Sequence, residues 1–359
     1  MKMNKLVRNT LLVAATFIVS APVFAGNGDR VGSAGATELL INPWARSAAW
    51  ADAGVASCTG LDAVYINIAG LAFTDKTQIR FDRTNWLGGA GIAINSAGFA
   101  QRISDNSVIS VTVMAMTFGD IQITTVDLPE GGVGSFSPVY SNFNVGYARE
   151  FTNSIYGGIN FKVVNENIAD LRGTSVAVDA GIRYVTGEQD QMKFGITLKN
   201  IGPTMNFKGD GMSIQVMYPN TGELATLEQR SAAFEMPSTL SIGGSYDFNF
   251  GELHKLTAAF AFSANSFSND QYRLGVNYGM TGGKMHFNIM AGYTLEEGLF
   301  SKDKFIPGGR VTALSGLSAG VSIDGIVGKN QHELGIQYAY RHANPFSGIH
   351  TVGLSFNLK

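Results

Sequence analysis

Residues 141–200 read SNFNVGYARE FTNSIYGGIN FKVVNENIAD LRGTSVAVDA GIRYVTGEQD QMKFGITLKN. Ile155, Gly157, Ile159, Phe161 and Val163 fall on one face of an extended chain, and Tyr156, Gly158, Asn160, Lys162 and Val164 on the other. The pattern returns as Val176, Val178, Ala180, Ile182 and Tyr184 against Ser175, Ala177, Asp179, Gly181 and Arg183. It returns again as Met192, Phe194, Ile196 and Leu198 against Lys193, Gly195, Thr197 and Lys199. Alternation over nine or more residues, broken only by short polar turns, predicts long antiparallel strands joined as hairpins. Strands of soluble proteins are usually about 5–6 residues long, whereas strands that cross a bilayer need about 9–11. These runs have the membrane length.

Composition agrees. The chain has 359 residues, 44 of them glycine, with 9 prolines and 11% aromatics, a strand-and-turn profile. Only 15% of residues are charged and mean hydropathy is near zero. After residue 25 no apolar run approaches the ~20 residues of a spanning helix. A net charge of −2 gives no sign of nucleic-acid binding.

Met1–Ala25 reads as a secretory signal peptide. Lys2, Lys5 and Arg8 form its basic region, Leu11–Val19 its apolar region, and Val23-Phe24-Ala25 its cleavage pattern. An uncleaved anchor is the alternative. The expectation is an exported protein that begins at Gly26 and sits in a bacterial outer membrane. The single cysteine, Cys58, has no partner for an internal disulfide, lies far from a lipid-anchor position, and reads as a small half-buried residue.

Residues 26–75 do not alternate long enough to span. The alanine-rich run 48–56 favours helix, and residues 61–72 are too apolar for a free tail. They are expected to form a hatch inside the barrel or across its periplasmic mouth, with a periplasmic arm as the alternative. From residue 76 the barrel begins, as an all-β transmembrane fold of about fourteen antiparallel strands: 77–86, 91–103, 107–117, 140–150, 154–166, 174–186, 191–200, 238–248, 254–264, 271–280, 283–293, 312–322, 332–342 and 348–358. The long gaps 118–139, 201–237 and 294–311 all follow odd-numbered strands. The gaps after even strands are short, 323–331 being the longest. That asymmetry is the one outer-membrane barrels show, with long loops extracellular and turns and termini periplasmic.

One face of the strands carries Lys162, Asp179, Arg183, Lys193, Lys199, Asp247, Arg273, Glu333 and Arg341 among glycine, serine and asparagine, as a solvated lumen requires. The other carries Phe151, Tyr184, Tyr293 and Tyr340 near strand ends, where interfacial aromatics belong. No enzyme is expected. The histidines (254, 286, 332, 342, 350) have no ligand spacing, so neither a metal nor a cofactor is implied. Gly328-Lys329-Asn330 lacks the upstream glycine and the Ser/Thr of a phosphate loop. No Gly-x-Ser-x-Gly elbow is present, and His342 with Ser347 reads as a polar loop.

Several stretches carry a family likeness: Ala45-Arg46-Ser47 with Asp52-Ala53-Gly54-Val55-Ala56, Asn67–Ala72, Phe118–Thr125, Gly146-Tyr147-Ala148-Arg149, Lys162–Ile168, Val178–Tyr184, Asn200–Phe207 and Met236-Pro237-Ser238. In this order, over residues 39–250, the chain resembles the PorV/PorQ family of outer-membrane barrels of the type IX secretion system, which are related in fold to FadL, and it is nearest the PorV branch. The family's Asn-Pro-Ala-Gly-Leu reads Asn67-Ile68-Ala69-Gly70-Leu71 here. The aromatic that precedes it is Ile66, and the family's Gly-Met-Gly-Gly reads Ala48-Ala49-Trp50-Ala51, departures that imply different packing of the hatch.

The resemblance implies a barrel that binds secreted cargo through the cargo's C-terminal signal domain. Its partners would be the translocon barrel, the cargo, subunits of the surface attachment machinery to which the barrel passes that cargo, and membrane lipid with lipopolysaccharide; whether it acts in secretion, attachment or gliding motility is left open. Capture by loops or by strand pairing would supply main-chain hydrogen bonds. The loop 201–237 offers Met205, Phe207, Met212, Ile214, Val216, Met217, Tyr218 and Phe234 as apolar anchors. Loop 118–139 offers Ile121–Val126 and Phe136. The same residues could instead fold the loops over the barrel mouth. The rival function is a FadL-like transporter of fatty acids or other hydrophobic solutes, with Trp44, Trp50, Leu61, Ile66, Ile68 and Leu71 lining a pocket or packing a plug. A general porin is disfavoured by that bulky apolar segment.

Overall fold

A computed structural model describes residue 26 and residues 28–296, 313–328 and 331–359. The predicted signal peptide, most of the third long loop and Lys329-Asn330 lie outside these residues. Fourteen long strands run in chain order: β1 (Thr77–Trp86), β2 (Ile92–Ser104), β3 (Ser107–Thr117), β4 (Val139–Thr152), β5 (Ile155–Ile168), β6 (Leu171–Thr186), β7 (Met192–Ile201), β8 (Thr239–Phe250), β9 (His254–Asn265), β10 (Gln271–Gly282), β11 (Met285–Glu296), β12 (Gly316–Val327), β13 (His332–Arg341) and β14 (Ile349–Leu358). Each pairs antiparallel with its sequence neighbours, and β1 pairs with β14 from Thr77↔Leu358 to Asn85↔His350. The sheet is thus a closed barrel without edges, the only sheet whose backbone groups are all satisfied in hydrocarbon. Strands of 10 to 16 residues reach across it. Among the described residues no helix is long and apolar enough to cross a membrane.

Burial is inside-out relative to a soluble protein. On β5 and β6, Phe161 and Ile182 are 59% and 60% exposed, while their neighbours Lys162 and Arg183 are 2% and 3% exposed. Period two makes this separation automatic, since each inward side chain is flanked by two outward ones. Phe151 and Tyr184 stand on the outer face at the short-turn end. The pattern places the start of β12 at 312, but the strand begins at Gly316 and runs on to Val327. Gly316 has φ +118, a backbone turn only glycine takes freely, and it resets the alternation that residues 312–314 mimic.

Residues 39–73 pack inside the ring as short helical turns, Ala45–Ala48, Gly60–Asp62, Ala63–Ile66 and Ile68–Phe73 among them. Trp44, Leu61, Ile68 and Leu71 are all fully buried there. The wall meets this inner segment with glycine. A Cβ at Gly292 would sit 2.5 Å from the Trp50 carbonyl oxygen, one at Gly320 2.6 Å from Ala49 Cβ, and ones at Gly275 and Gly243 2.8 Å from Ala53 and Val55. These positions lie on β11, β12, β10 and β8, so the lumen is widened along one belt to admit backbone.

Ion pairs fix the segment further. Arg80 of β1 bridges Asp62 of the segment and Asp82 of the wall, each at 2.7 Å. Asp82 also accepts the Ala45 N–H at 2.7 Å. Arg341 of β13 pairs with Asp52, and Asn67 donates to the Ile182 carbonyl of β6 at 3.1 Å. Cys58 is buried in the same packing, and burial, partly offset by Arg183, pushes its thiol up to about 12. In detergent at pH 8 the folded protein is therefore expected to resist maleimide for hours and to label only after denaturation, since the thiolate is the reactive form. Prompt labelling of the native protein would contradict this packing.

The long connections 118–138 and 202–238 leave the barrel at one end, where the strand ends Glu296 and Gly316 also lie. At that end β7 stops short of β6. Asn200 takes φ +59, its N–H donates to Asp179 at 2.8 Å and its side-chain oxygen accepts Lys162 Nζ at 2.8 Å. The chain then passes Pro203 and returns to the wall, where Phe207 and Lys208 pair with Gly173 and Arg172 of β6.

Candidate functional site

A cavity of about 490 Å³ opens between the inner segment and the long-loop end of the barrel. This falls within the ~300–1,000 Å³ typical of small-molecule sites. Its walls include Leu40, Ile41, Ile66, Trp86, Met116, Phe118, Phe267 and Leu314. Its charged lining is Lys199, Arg273 and Arg341 against Asp52 and Glu38, a net excess of one positive charge. The apolar groups come from the inner segment and the strand mouths. The cations come from β7, β10 and β13, whose inward positions the alternation fixes.

The lining is pre-organised. Asp52 accepts Asn42 Nδ2 at 2.7 Å and pairs with Arg341. Burial alone would raise the Asp52 carboxyl, but Arg341, Arg273 and Asn42 together hold it below its ordinary value. Lys199 Nζ donates to the Tyr65 carbonyl at 3.0 Å and Arg273 donates to Gln271 at 2.7 Å. Among the described residues neither Lys199 nor Arg273 has an ion-pair partner, so both present positive charge to the cavity. Among the same residues no group of three or more His, Cys, Asp or Glu is placed to hold a metal.

The anchors expected on the second loop fall into two sets. Met205 is buried, exchanges backbone hydrogen bonds with Phe234 at 2.7 Å, and joins the hydrophobic cluster of the inner segment. Phe207 packs edge-on to Phe234 with ring centroids 6.3 Å apart. Ile214, Met217 and Tyr218 instead stand exposed on a hairpin of Ser213–Met217 and Leu224–Glu228, with Met212 half-buried at its base. Of the residues considered for a hydrophobic pocket, Ile66 lines this cavity, and Trp44, Leu61, Ile68 and Leu71 are sealed in the inner core. Trp50 faces a second cavity at the other end. Trp86 and Phe267 were not legible as site residues, and Lys199, Arg273 and Arg341 read only as lumen solvation. They converge from strands far apart in sequence, so no local spacing could announce them.

No protein-family model matches the chain, and no curated protein matches its sequence significantly. Solved structures do resemble it. The Pseudomonas putida toluene transporter TodX aligns over 88% of this chain and 97% of its own, with TM-score 0.53 and 10% identity. The Ralstonia pickettii toluene transporter TbuX aligns over 93% and 98%, with TM-score 0.51 and 10% identity. A Pseudomonas aeruginosa FadL homologue aligns over 88% and 96%, with TM-score 0.52 and 11% identity. The chain therefore has the fourteen-stranded fold of FadL-like outer-membrane barrels, and at this identity the likeness is one of fold.

Proposed function

We propose that the protein is a FadL-like outer-membrane channel that admits amphipathic small molecules, with an apolar body and an anionic head, from the long-loop side. The observation that carries this reading is the mouth cavity, apolar along its walls and positive through Lys199 and Arg273. The named activities of its structural neighbours, transport of toluene and monoaromatic hydrocarbons, are consistent with passage of apolar compounds. On this reading the long loops are extracellular and the chain termini periplasmic.

Dodecanoate titrated into the detergent-solubilised protein is the direct test. Lys199→Gln and Arg273→Gln are expected to weaken its binding in the mouth roughly tenfold or more each, as for a lost charge-assisted hydrogen bond. Toluene affinity should barely change. Wild-type protein that binds neither probe would overturn the proposal.

A second reading is favoured by the hairpin of the second loop. The hairpin exposes Ile214, Met217, Tyr218, Leu224 and Leu227, and among the described residues its two strands pair only with each other. Together with the PorV-like motifs, this suits capture of a strand-rich signal domain of secreted cargo, with the type IX translocon and attachment subunits as partners. Affinity purification from the native outer membrane should then recover such proteins, and removal of residues 212–229 should lose the cargo while leaving dodecanoate binding intact. Recovery of the barrel with lipid alone would eliminate this reading.

A further inference from the structure

The buried cations of the lumen divide into two kinds. Arg80 has two carboxylates, Lys162 pairs with Asp179 at 2.7 Å, Arg341 with Asp52, and Lys193 with Asp247, which the exposed Lys255 also reaches. These hold the fold together. Arg183 of β6 is different. It is 3% exposed, and among the described residues no carboxylate lies within ion-pair distance of it. Nη1 donates to the Cys58 carbonyl at 2.9 Å, the guanidinium lies 4.0 Å from the Phe73 ring centroid, and Nε has no hydrogen-bond partner. Phe73 in turn packs on Tyr156 at 4.3 Å. The side chain is clamped in place yet only partly satisfied.

A guanidinium buried without a counter-charge is costly, and such a group in a native structure calls for an occupant. Arg183 lines a second cavity, about 430 Å³, on the short-turn side of the inner segment. Ser57 lines it too, and its buried Oγ has no partner either. The carboxylates that could have served Arg183 there are engaged: Asp62 by Arg80, and Asp247 by two lysines and by Thr257 Oγ1 at 2.7 Å. Asp190, in the β6–β7 turn, forms no ion pair with it. The lining carries Arg46, Arg183, Lys193 and Lys255 against Asp62, Asp190 and Asp247, again a net positive charge of one.

We propose that this turn-side cavity is a second anion site, in which Arg183 and the Ser57 hydroxyl receive a carboxylate or phosphate group. The site follows from the uncompensated guanidinium alone. Its role as the station below the inner segment, taking the head group of the molecule admitted above, rests on the channel reading given under Proposed function. A planar guanidinium held by an aromatic face suits a two-oxygen anion.

The test is dodecanoate stoichiometry by native mass spectrometry, with affinities from calorimetry, on the full chain in detergent. Wild type is expected to bind two molecules. Arg183→Gln, which keeps a donor for the Cys58 carbonyl, should bind one. The double variant Lys199→Gln/Arg273→Gln should bind the other one. One molecule bound by wild type and by Arg183→Gln alike overturns the second site and leaves the channel reading standing. Two bound by the double variant and one by Arg183→Gln does the reverse. Should Arg183→Gln fail to fold, Arg183→Lys and Ser57→Ala are read instead. Each is expected to weaken only the turn-side site, roughly three- to tenfold, and unchanged affinity in both overturns the proposal. Inorganic phosphate then separates the sources. If it displaces only the Arg183-dependent dodecanoate, the charged group suffices and free phosphate is a ligand. If dodecanoate stays bound yet Arg183-dependent, the site takes a lipid-like carboxylate.

Discussion

Replacing Arg80 by methionine is expected to cost the folded protein roughly 3–5 kcal/mol, the usual result of leaving buried carboxylates without their cation. Arg80 is buried, it holds Asp62 and Asp82 at 2.7 Å, and it lies 5.1 Å over the Trp44 ring. The substitution removes charge, hydrogen bonds and a cation–π contact together. Urea unfolding in detergent, followed by the fluorescence of the three buried tryptophans, gives the free energy directly. The triple variant Arg80→Met/Asp62→Asn/Asp82→Asn should recover most of the loss, because a removed cluster is far cheaper than a broken one. A single variant within about 1 kcal/mol of the parent would show that the cluster does not hold the inner segment as described, since even an exposed pair contributes about that much.

The second large effect is expected at Gly292. A valine there cannot coexist with the Trp50 carbonyl, and the obstructing atoms are backbone, which cannot swing aside. Valine is a good strand residue, so the barrel should still form and retain its heat-dependent mobility on a gel. The inner segment should be expelled. Residues 26–75 should become accessible to trypsin, and planar-bilayer conductance should rise from closed to porin-like. Gly282→Val is the control, because its Cβ would meet nothing within 4 Å. An unchanged tryptic pattern in Gly292→Val would refute the close approach.

Much of the barrel was legible because its rule is local. Alternation alone placed β1 and β3 at their observed limits, 77–86 and 107–117. Where it slipped, a glycine or a strand prolonged by its partners was responsible, as at Gly316 or in the start of β6 at Leu171 rather than 174, where β5 and the returning loop pair with it. The long loops were assigned to one end for the same reason, since counting strands fixes their side. What could not be read is everything that depends on which strands face each other across the lumen. Arg183, Lys199 and Arg273 looked like equivalent solvated positions, yet among the described residues none has the carboxylate partner that Lys162 or Arg341 has. Only the packing of the inner segment decides which carboxylates are already taken. The apolar anchors of the second loop failed to separate in sequence because Met205 and Ile214 are chemically alike. Their different fates turn on a backbone exchange with Phe234 and a free-standing hairpin.

The two ion clusters straddle the place where the ring is joined. Arg80 belongs to the first strand and Arg341 to the last but one, with β14 between them, and both reach the same stretch of the N-terminal segment. That segment precedes the barrel strands in the chain. Asp62 pairs with the arginine on one side of the β1–β14 seam and Asp52 with the arginine on the other. The segment therefore favours one register of closure: a ring shifted at that seam would part an aspartate from its arginine, at the several kcal/mol of a broken buried pair.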